Sequence, residues 1–277
     1  MKFFIGLCII FTVLISVADD RRIVLLDTSS GGYLQSFFSS VFSGKNPCVL
    51  PEDMNVEIKR ADWRNLKISD DFSVVADEGL HKFDRSGFRV LNYAVLPLIF
   101  AVDAANPLES ISTEDLRRIC TGKIASWQRL GGKDVKVTLV SGPVDSPVGR
   151  VWRKMLMLQD LEDIQKNDIS TYITPDLITV STIEGQLAMV NMPGVMVAGS
   201  WQLAVRQDKK YKILKVNNVY PSEKNILDGS YTLVARYALL CKKDSTPAGI
   251  LPLLEFIRSA AAADGNFLAS ATVSEQQ

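Results

Sequence analysis

Short apolar runs alternate with helix-like segments along most of this chain, and this alternation limits the folds open to it. Residues 22–27 form an apolar run, and after a small polar loop, apolar residues recur at helical spacing over 33–42. The unit is repeated at 135–161, where a strand-like run and a loop precede Ser146-Pro147 and a helical pattern. Alternating strand and helix periods are typical of α/β layers. We therefore predict an α/β fold with mostly parallel sheets.

Local signals also predict where several elements begin and end. The apolar segment 90–102 is interrupted by Pro97, which indicates a strand that leaves one sheet and enters another. Ser112 and Asp115 have the spacing of a helix-capping pair, and Gly122 is a typical helix stop. The same signals predict further helix starts at Ser146, within Ser181-Thr182-Ile183-Glu184 and at Ser245-Thr246-Pro247, and a helix stop at Gly265.

The N-terminal segment has the pattern of a secretory signal peptide. One positive charge at Lys2 precedes the apolar stretch 3–17, which is shorter than the roughly 20 residues of a membrane-spanning helix. Ser16 and Ala18 supply the small residues that a signal peptidase requires. We expect residues 1–18 to be cleaved and the mature protein to be periplasmic or otherwise secreted; an uncleaved N-terminal anchor is the alternative.

Composition excludes several classes of function. The 31 Lys and Arg residues balance 31 Asp and Glu residues, so no whole-chain cationic field favours nucleic acid. With His81 as the single histidine, a two-histidine zinc site cannot form, and the sequence has no G-x-S-x-G motif. Three cysteines follow the signal segment, an odd number that no complete set of internal disulfides can pair. We expect no enzymatic activity, metal or cofactor.

Two sequence blocks then point to a known family. Residues 111–127 contain Thr121-Gly122-Lys123-Ile124 and Trp127, with Asn106-Pro107 before the block and Gly131-Gly132 after it. A second block, from Val216 to Arg236, contains Pro221-Ser222, Asn225-Ile226 and Gly229-Ser230-Tyr231. Both blocks resemble the phosphate-binding proteins of bacterial phosphate ABC transporters, in residue type and in spacing.

The resemblance implies two α/β lobes joined by two crossing strands, with an anion held in the cleft between them. Lobe one would comprise residues 23–98 plus 232–277, and lobe two residues 99–231. Segments 90–102 and 229–236 would be the hinge strands. It also implies a monomeric exported protein that captures a small oxyanion, with phosphate favoured, and presents it to an ABC transporter permease.

Two loops match the family's phosphate-binding loops in position. Loop 28–32 contains Ser30, which aligns with a threonine of the family, and loop 141–150 contains Ser146, which aligns with a serine. Backbone N–H groups at helix starts and hydroxyl groups can both hold an anion. The resemblance therefore predicts a ligand site formed by Thr28, Ser29, Ser30, Gly31, Asp77, Ser141, Asp145, Ser146 and Arg150.

The second loop differs from the family pattern. Asp145-Ser146-Pro147-Val148 stands in place of G-S-G-T, and Gly142 stands in place of an arginine, so donors of hydrogen bonds are lost. Arg150 or Arg153 could supply the missing charge from the helix, unless both lie on a solvated face. Asp77 aligns with the region of the family's proton-accepting carboxylate and Asp145 is a second candidate; a solvated surface carboxylate is the alternative for each.

These lost donors support a second hypothesis for function. A degenerate binding-protein-like domain could keep the fold and bind a different ligand or a protein partner in a signalling or envelope role.

Overall fold

The computed structural model describes residues 22–27, 37–40, 54–61, 66, 74–80, 84–143, 146–157, 177–207, 210–244, 247 and 249–269. In chain order, its strands are β1 (Arg22–Asp27), β2 (Asn55–Arg60), β3 (Val74–Asp77), β4 (Phe88–Pro97), β5 (Ile99–Asp103), β6 (Ser110–Ile111), β7 (Thr138–Ser141), β8 (Leu177–Thr179), β9 (Val195–Gly199), β10 (Tyr211–Ile213), β11 (Lys215–Val216), β12 (Val234–Lys242) and β13 (Leu268–Ala269).

The α-helices with defined bounds are α1 (Thr113–Cys120), α2 (Pro147–Trp152), α3 (Ile183–Val190), α4 (Gln202–Val205), α5 (Glu223–Leu227) and α6 (Ile250–Asp264). A short 3-10 helix spans Trp127–Leu130, and α2 continues as a π-helix over Arg153–Met157. Residues 37–40 are also helical. Among the described residues, no helix is both long and apolar enough to cross a membrane.

The described strands form two large sheets and one small one. The first sheet has the order β13-β4-β12-β3-β1-β2, and the second has the order β10-β5-β9-β7-β8. Strands β6 and β11 make a separate parallel pair. We call the first sheet with its flanking helices lobe one and the second sheet with its helices lobe two. The predicted α/β class is confirmed, and the exact boundaries at 98/99 and 231/232 stay predictions.

Both large sheets are mixed, which corrects the expectation that each is mostly parallel. Strand β1 pairs in parallel with β2 and β3, and β7 pairs in parallel with β8 and β9. Strand β12, in contrast, is antiparallel to both β3 and β4. The reason is topological: β4 carries the chain out of lobe one and β12 brings it back, so two neighbouring strands must run in opposite directions.

The crossing between the lobes lies where the interrupted apolar segment predicted it. Strand β4 ends at Pro97, and β5 begins at Ile99 in the other sheet. The Leu98 N–H donates to the Leu233 carbonyl over 2.9 Å, and the buried Tyr231 hydroxyl donates to the Leu98 carbonyl over 2.6 Å. The two crossing segments are therefore tied to each other at the hinge.

Several helix starts agree with the capping signals in the sequence, but α6 begins at Ile250 and not at the predicted Pro247, because Gly249 at φ 81° has a left-handed backbone that a helix cannot include. The Ser112 hydroxyl accepts a hydrogen bond from the Asp115 N–H over 2.9 Å and donates to the Asp115 carboxylate, so the predicted pair is confirmed. Thr182 caps α3 in the same way, by accepting from the Gly185 N–H. Gly265, at φ 75°, follows α6 as expected.

Candidate functional site

The candidate site lies where β3 of lobe one and β7 of lobe two end. In open α/β sheets, ligands bind beyond the carboxyl ends of parallel strands, where loops lead into helices. Asp77 is the last residue of β3 and Glu78 follows it. Ser141 is the last residue of β7, and helix α2 begins at Pro147. The two strand ends bring acidic and basic residues of different lobes together.

Asp77 is engaged inside lobe one. Its carboxylate accepts hydrogen bonds from Arg85 Nε over 2.9 Å and from the Gly79 N–H over 3.1 Å, and Arg85 Nη2 lies 2.8 Å from it. Burial raises the pKa of Asp77, and the neighbouring Arg85 charge opposes this shift. Because Asp77 is only 2% exposed, the solvated-carboxylate alternative is wrong for it. Its predicted contact with a ligand stays a prediction.

Glu78, the next residue, is the carboxylate that reaches lobe two. The Arg150 guanidinium of α2 donates through Nη2 to Glu78 Oε2. Glu78 is 0% exposed and Arg150 is 2% exposed, so this ion pair is buried between the lobes. The solvated-face alternative is therefore wrong for Arg150. Arg153, at 5% exposure, is also buried.

Sequence reasoning missed Glu78. The resemblance selected Asp77, because that position aligned with the family's carboxylate. One signal was available: successive side chains near a strand end point to opposite sides, so adjacent acids meet different partners. Because the Asp77 side chain faces into lobe one, this alternation directs the Glu78 side chain away from lobe one.

The described part of loop 141–150 uses much of its hydrogen-bonding capacity internally. The Ser146 hydroxyl accepts from the Gly149 N–H over 3.1 Å and donates to the Pro143 carbonyl over 2.6 Å. Ser146 thus caps α2, as its position predicted. Ser141 is 0% exposed, and its hydroxyl has no hydrogen-bond partner among the described residues.

Several predicted residues cannot be compared with the structure. Thr28, Ser29, Ser30, Gly31 and Asp145 lie outside the described residues, as do His81, Cys48 and the signal segment 1–18. Cys120 and Cys241 are buried free thiols. Burial raises the pKa of Cys120 to about 12, so its thiol is unreactive at neutral pH. Among the described residues, no three His, Cys, Asp or Glu side chains form a metal-binding group.

Comparison with known proteins agrees with this architecture. The profile of the "PBP superfamily domain" matches residues 68–271. The phosphate-binding protein PstS of Bacillus subtilis strain 168 is 31% identical over 153 residues, which are 55% of this chain and 47% of that protein. The chain thus spans about half the length of this curated relative.

Solved structures show the same two-lobed fold. PstS from Borrelia burgdorferi superposes with a TM-score of 0.67 at 16% identity, over 91% of this chain and 100% of that one. An ABC-type phosphate transport receptor from Vibrio cholerae gives a TM-score of 0.65 at 17% identity, over 88% of this chain and 96% of that one. The profile covers most of the sequence and the fold agrees, so this chain belongs to the PBP superfamily.

Proposed function

We propose that this protein is an exported solute-binding protein that captures a small oxyanion, with phosphate favoured, in the cleft between its lobes. It would act as a monomer, without catalysis, and pass its ligand to an ABC transporter permease. The names of its relatives support this proposal: one is a phosphate-binding protein, and another is a phosphate transport receptor. Export would follow cleavage after Ala18.

The ion pair between Arg150 and Glu78 is the observation that most directly supports the proposal. These two buried residues come from different lobes and lie beyond the ends of β3 and β7. A ligand bound beside them touches both lobes at once, so its binding energy favours the closed arrangement. The hinge segments at Leu98 and Leu233 provide the connection about which such closure occurs.

A carboxylate in the cleft also bears on which anion is accepted. It repels a fully deprotonated oxyanion such as sulfate, whereas it accepts a hydrogen bond from the proton of hydrogen phosphate. Glu78 is the described carboxylate that lies between the lobes, and Asp77 and Asp145 were the predicted ones. The proposal therefore favours protonated tetrahedral anions.

Calorimetric titration of the ligand-free mature protein with phosphate, sulfate and molybdate tests the proposal. Phosphate is expected to give saturable heat with one site per chain and to raise the Tm. At a phosphate concentration 100 times Kd, the stabilisation should be about 2.7 kcal/mol. If millimolar phosphate produces neither heat nor a change in Tm, the proposal is wrong.

A pair of serine variants separates ligand binding from helix capping. Ser146 and Ser222 both cap a helix by accepting from the N–H three residues on, at 3.1 and 3.2 Å. Ser146→Ala and Ser222→Ala should each lower stability by about 1 kcal/mol. Only Ser146→Ala is expected to weaken phosphate binding, and equal affinities in the two variants would remove Ser146 from the site.

One observation favours the second hypothesis, a degenerate domain with a different ligand or a protein partner. Glu78 already neutralises Arg150, and the Ser146 hydroxyl already donates to Pro143. A cleft satisfied by its own side chains holds the lobes together without an anion. Small-angle scattering distinguishes the two: phosphate should compact a binding protein and leave the dimensions of a self-closed domain unchanged.

A further inference from the structure

Arg153 is a buried cation, and two of its guanidinium nitrogens have no hydrogen-bond acceptor among the described residues. It is 5% exposed, and its Nε and Nη1 atoms have no hydrogen-bond partner within the described part of the chain. Burial lowers the pKa of Arg153 to about 10, which still leaves the guanidinium charged at neutral pH. A buried charge without a counter-charge is rare in folded proteins because its desolvation is costly.

Arg258 is a second largely buried arginine; its Nε also lacks a hydrogen-bond partner among the described residues, but its terminal nitrogens are paired. The Arg258 side chain is 11% exposed, and its guanidinium donates to Glu255 over 2.6 Å and to the Asn92 carbonyl over 3.1 Å. Arg153 instead lies over the Trp152 ring, with Cζ 5.1 Å from the ring centroid. A cation–π contact recovers only part of the desolvation cost of a buried ion. The contact with Trp152 therefore leaves much of the cost of burying the Arg153 charge uncompensated.

Two further donors of lobe two are buried without a hydrogen-bond partner in the described part of the chain. The Trp152 indole N–H is buried without a hydrogen-bond partner among the described residues, and so is the Ser141 hydroxyl. Ser141 ends β7 and Trp152 ends α2, the next helix along the chain, so both donors belong to one strand–loop–helix unit. An indole N–H and a guanidinium can only donate, so what is missing is an acceptor.

The position of Arg153 relates it to the cleft. Arg150 and Arg153 are three residues apart, so they share one face of the helix, and helical side chains lean back toward its N-terminus. Arg150 on that face meets Glu78 of lobe one. Arg153 is also the first residue of the π-helix Arg153–Met157, a distortion that is frequent at functional sites.

We propose that Arg153, with the Trp152 indole N–H and the Ser141 hydroxyl, binds the oxyanion in the cleft. Arg150 is then the positioning residue that Glu78 holds in place. This inference rests on the proposed function and names the cation that replaces the arginine lost at Gly142. Its ligand is a tetrahedral oxyanion that accepts several hydrogen bonds from one side.

Arg153→Met, which removes the charge and keeps a long side chain, tests the inference against Arg258→Met. In the absence of added anion, Arg153→Met should raise the Tm, by about 2 °C or more, because an uncompensated buried charge is removed. Arg258→Met should lower it, because Glu255 and Asn92 lose their donor. A loss of stability in Arg153→Met similar to that in Arg258→Met would overturn the inference.

Phosphate affinity provides the second measurement. Arg153→Met should weaken phosphate binding about 30-fold or more, while Arg258→Met leaves it unchanged. Arg153→Lys keeps the charge and loses the planar guanidinium, so its phosphate affinity should lie between those of Arg153→Met and Arg258→Met. Affinities of Arg153→Met within twofold of wild type would overturn the inference.

If the wild type does not respond to phosphate, the titration is repeated with sulfate and molybdate, and the Tm is measured with each. Stabilisation of the wild type by one of them, absent from Arg153→Met, would support Arg153 and refute phosphate as the ligand. No stabilisation by any of the three anions would refute both proposals.

Discussion

Two adjacent carboxylates, Asp77 at the end of β3 and Glu78 directly after it, have different partners. Asp77 is paired within lobe one with Arg85, whose side chain is 30% exposed. Glu78 is paired across the cleft with Arg150, whose side chain is 3% exposed. The two neighbouring residues therefore form different ion pairs. The pair of Asp77 lies within lobe one and is partly hydrated, whereas the pair of Glu78 lies between the lobes and is buried.

The difference shows how position determines what an ion pair contributes. Water screens a partly exposed pair, so breaking it costs little. A fully buried pair is not screened, and removal of one partner leaves the other as an uncompensated charge. We therefore expect the Glu78–Arg150 pair to control the arrangement of the lobes and the Asp77–Arg85 pair to shape only the end of β3.

Glu78→Gln should have the largest effect of the changes that test this comparison. It keeps the size of the side chain and leaves the Arg150 guanidinium buried without its carboxylate. We expect the free energy of unfolding to fall by about 3–5 kcal/mol, measured by urea denaturation. Glu114→Gln is the control, because Glu114 is 69% exposed and lies 3.8 Å from Arg117. Its effect should stay below about 1 kcal/mol.

A second variant tests whether the loss of stability in Glu78→Gln comes from the Arg150 charge that Glu78 no longer neutralises. Combining Glu78→Gln with Arg150→Met removes both charges, and stability should recover relative to Glu78→Gln alone. If Glu78→Gln costs no more than Glu114→Gln, the pair does not hold the lobes together.

Gly79→Ala tests the turn that separates the two carboxylates, and its effect should be intermediate. Gly79 has φ +69°, and a Cβ there would lie 2.5 Å from the Arg236 carbonyl oxygen of β12. Left-handed backbone alone costs a non-glycine residue about 1–2 kcal/mol, and the contact with β12 adds to this. We expect a total loss of about 2–3 kcal/mol in thermal or urea unfolding.

Gly131→Ala separates backbone strain from the steric contact. Gly131 has φ +82°, and a Cβ there meets no atom within 4 Å. Its cost should be limited to the strain of about 1–2 kcal/mol. Equal losses of stability in the two variants would mean that the chain near Arg236 moves to accommodate the new Cβ. The turn at Gly79 would then not determine the positions of Asp77 and Glu78.

Local features of this chain were predictable, and long-range partners were not. The caps at Ser112 and Ser146 depend on residues three positions away, so the sequence contains both members of each pair. The break between strands at Pro97 was also predictable, because a proline interrupts a strand by itself. The partner of Glu78 lies 72 positions along the chain, and no local pattern identifies it. Likewise, the antiparallel pairing of β12 depends on the return path of the chain.

The predicted contacts of the site residues with a ligand stay predictions. Arg150 was named among them, with Arg153 as the other possible source of charge, and it lies buried between the lobes. The choice between Arg150 and Arg153 could not be made from sequence, since both lie on one helix face. The two arginines differ in that Arg150 contacts Glu78, a carboxylate of the other lobe, and residue spacing does not predict this contact.

Asp77→Asn should have the smallest effect on stability at neutral pH, within about 1 kcal/mol, because Asn keeps the acceptor for the Gly79 N–H and Arg85 remains partly hydrated. Its signature is a pH dependence. Burial raises the pKa of Asp77 above 3.8, so between 3.8 and the raised value the folded state binds a proton that the unfolded state lacks. The wild type should therefore gain stability relative to Asp77→Asn as the pH falls through that window, and the gain should level off below 3.8. Unfolding measured in steps from pH 7 to pH 3 checks the sign. A wild type that loses stability relative to Asp77→Asn on acidification would show that the Arg85 charge outweighs burial, and that ionised Asp77 stabilises the fold through its ion pair.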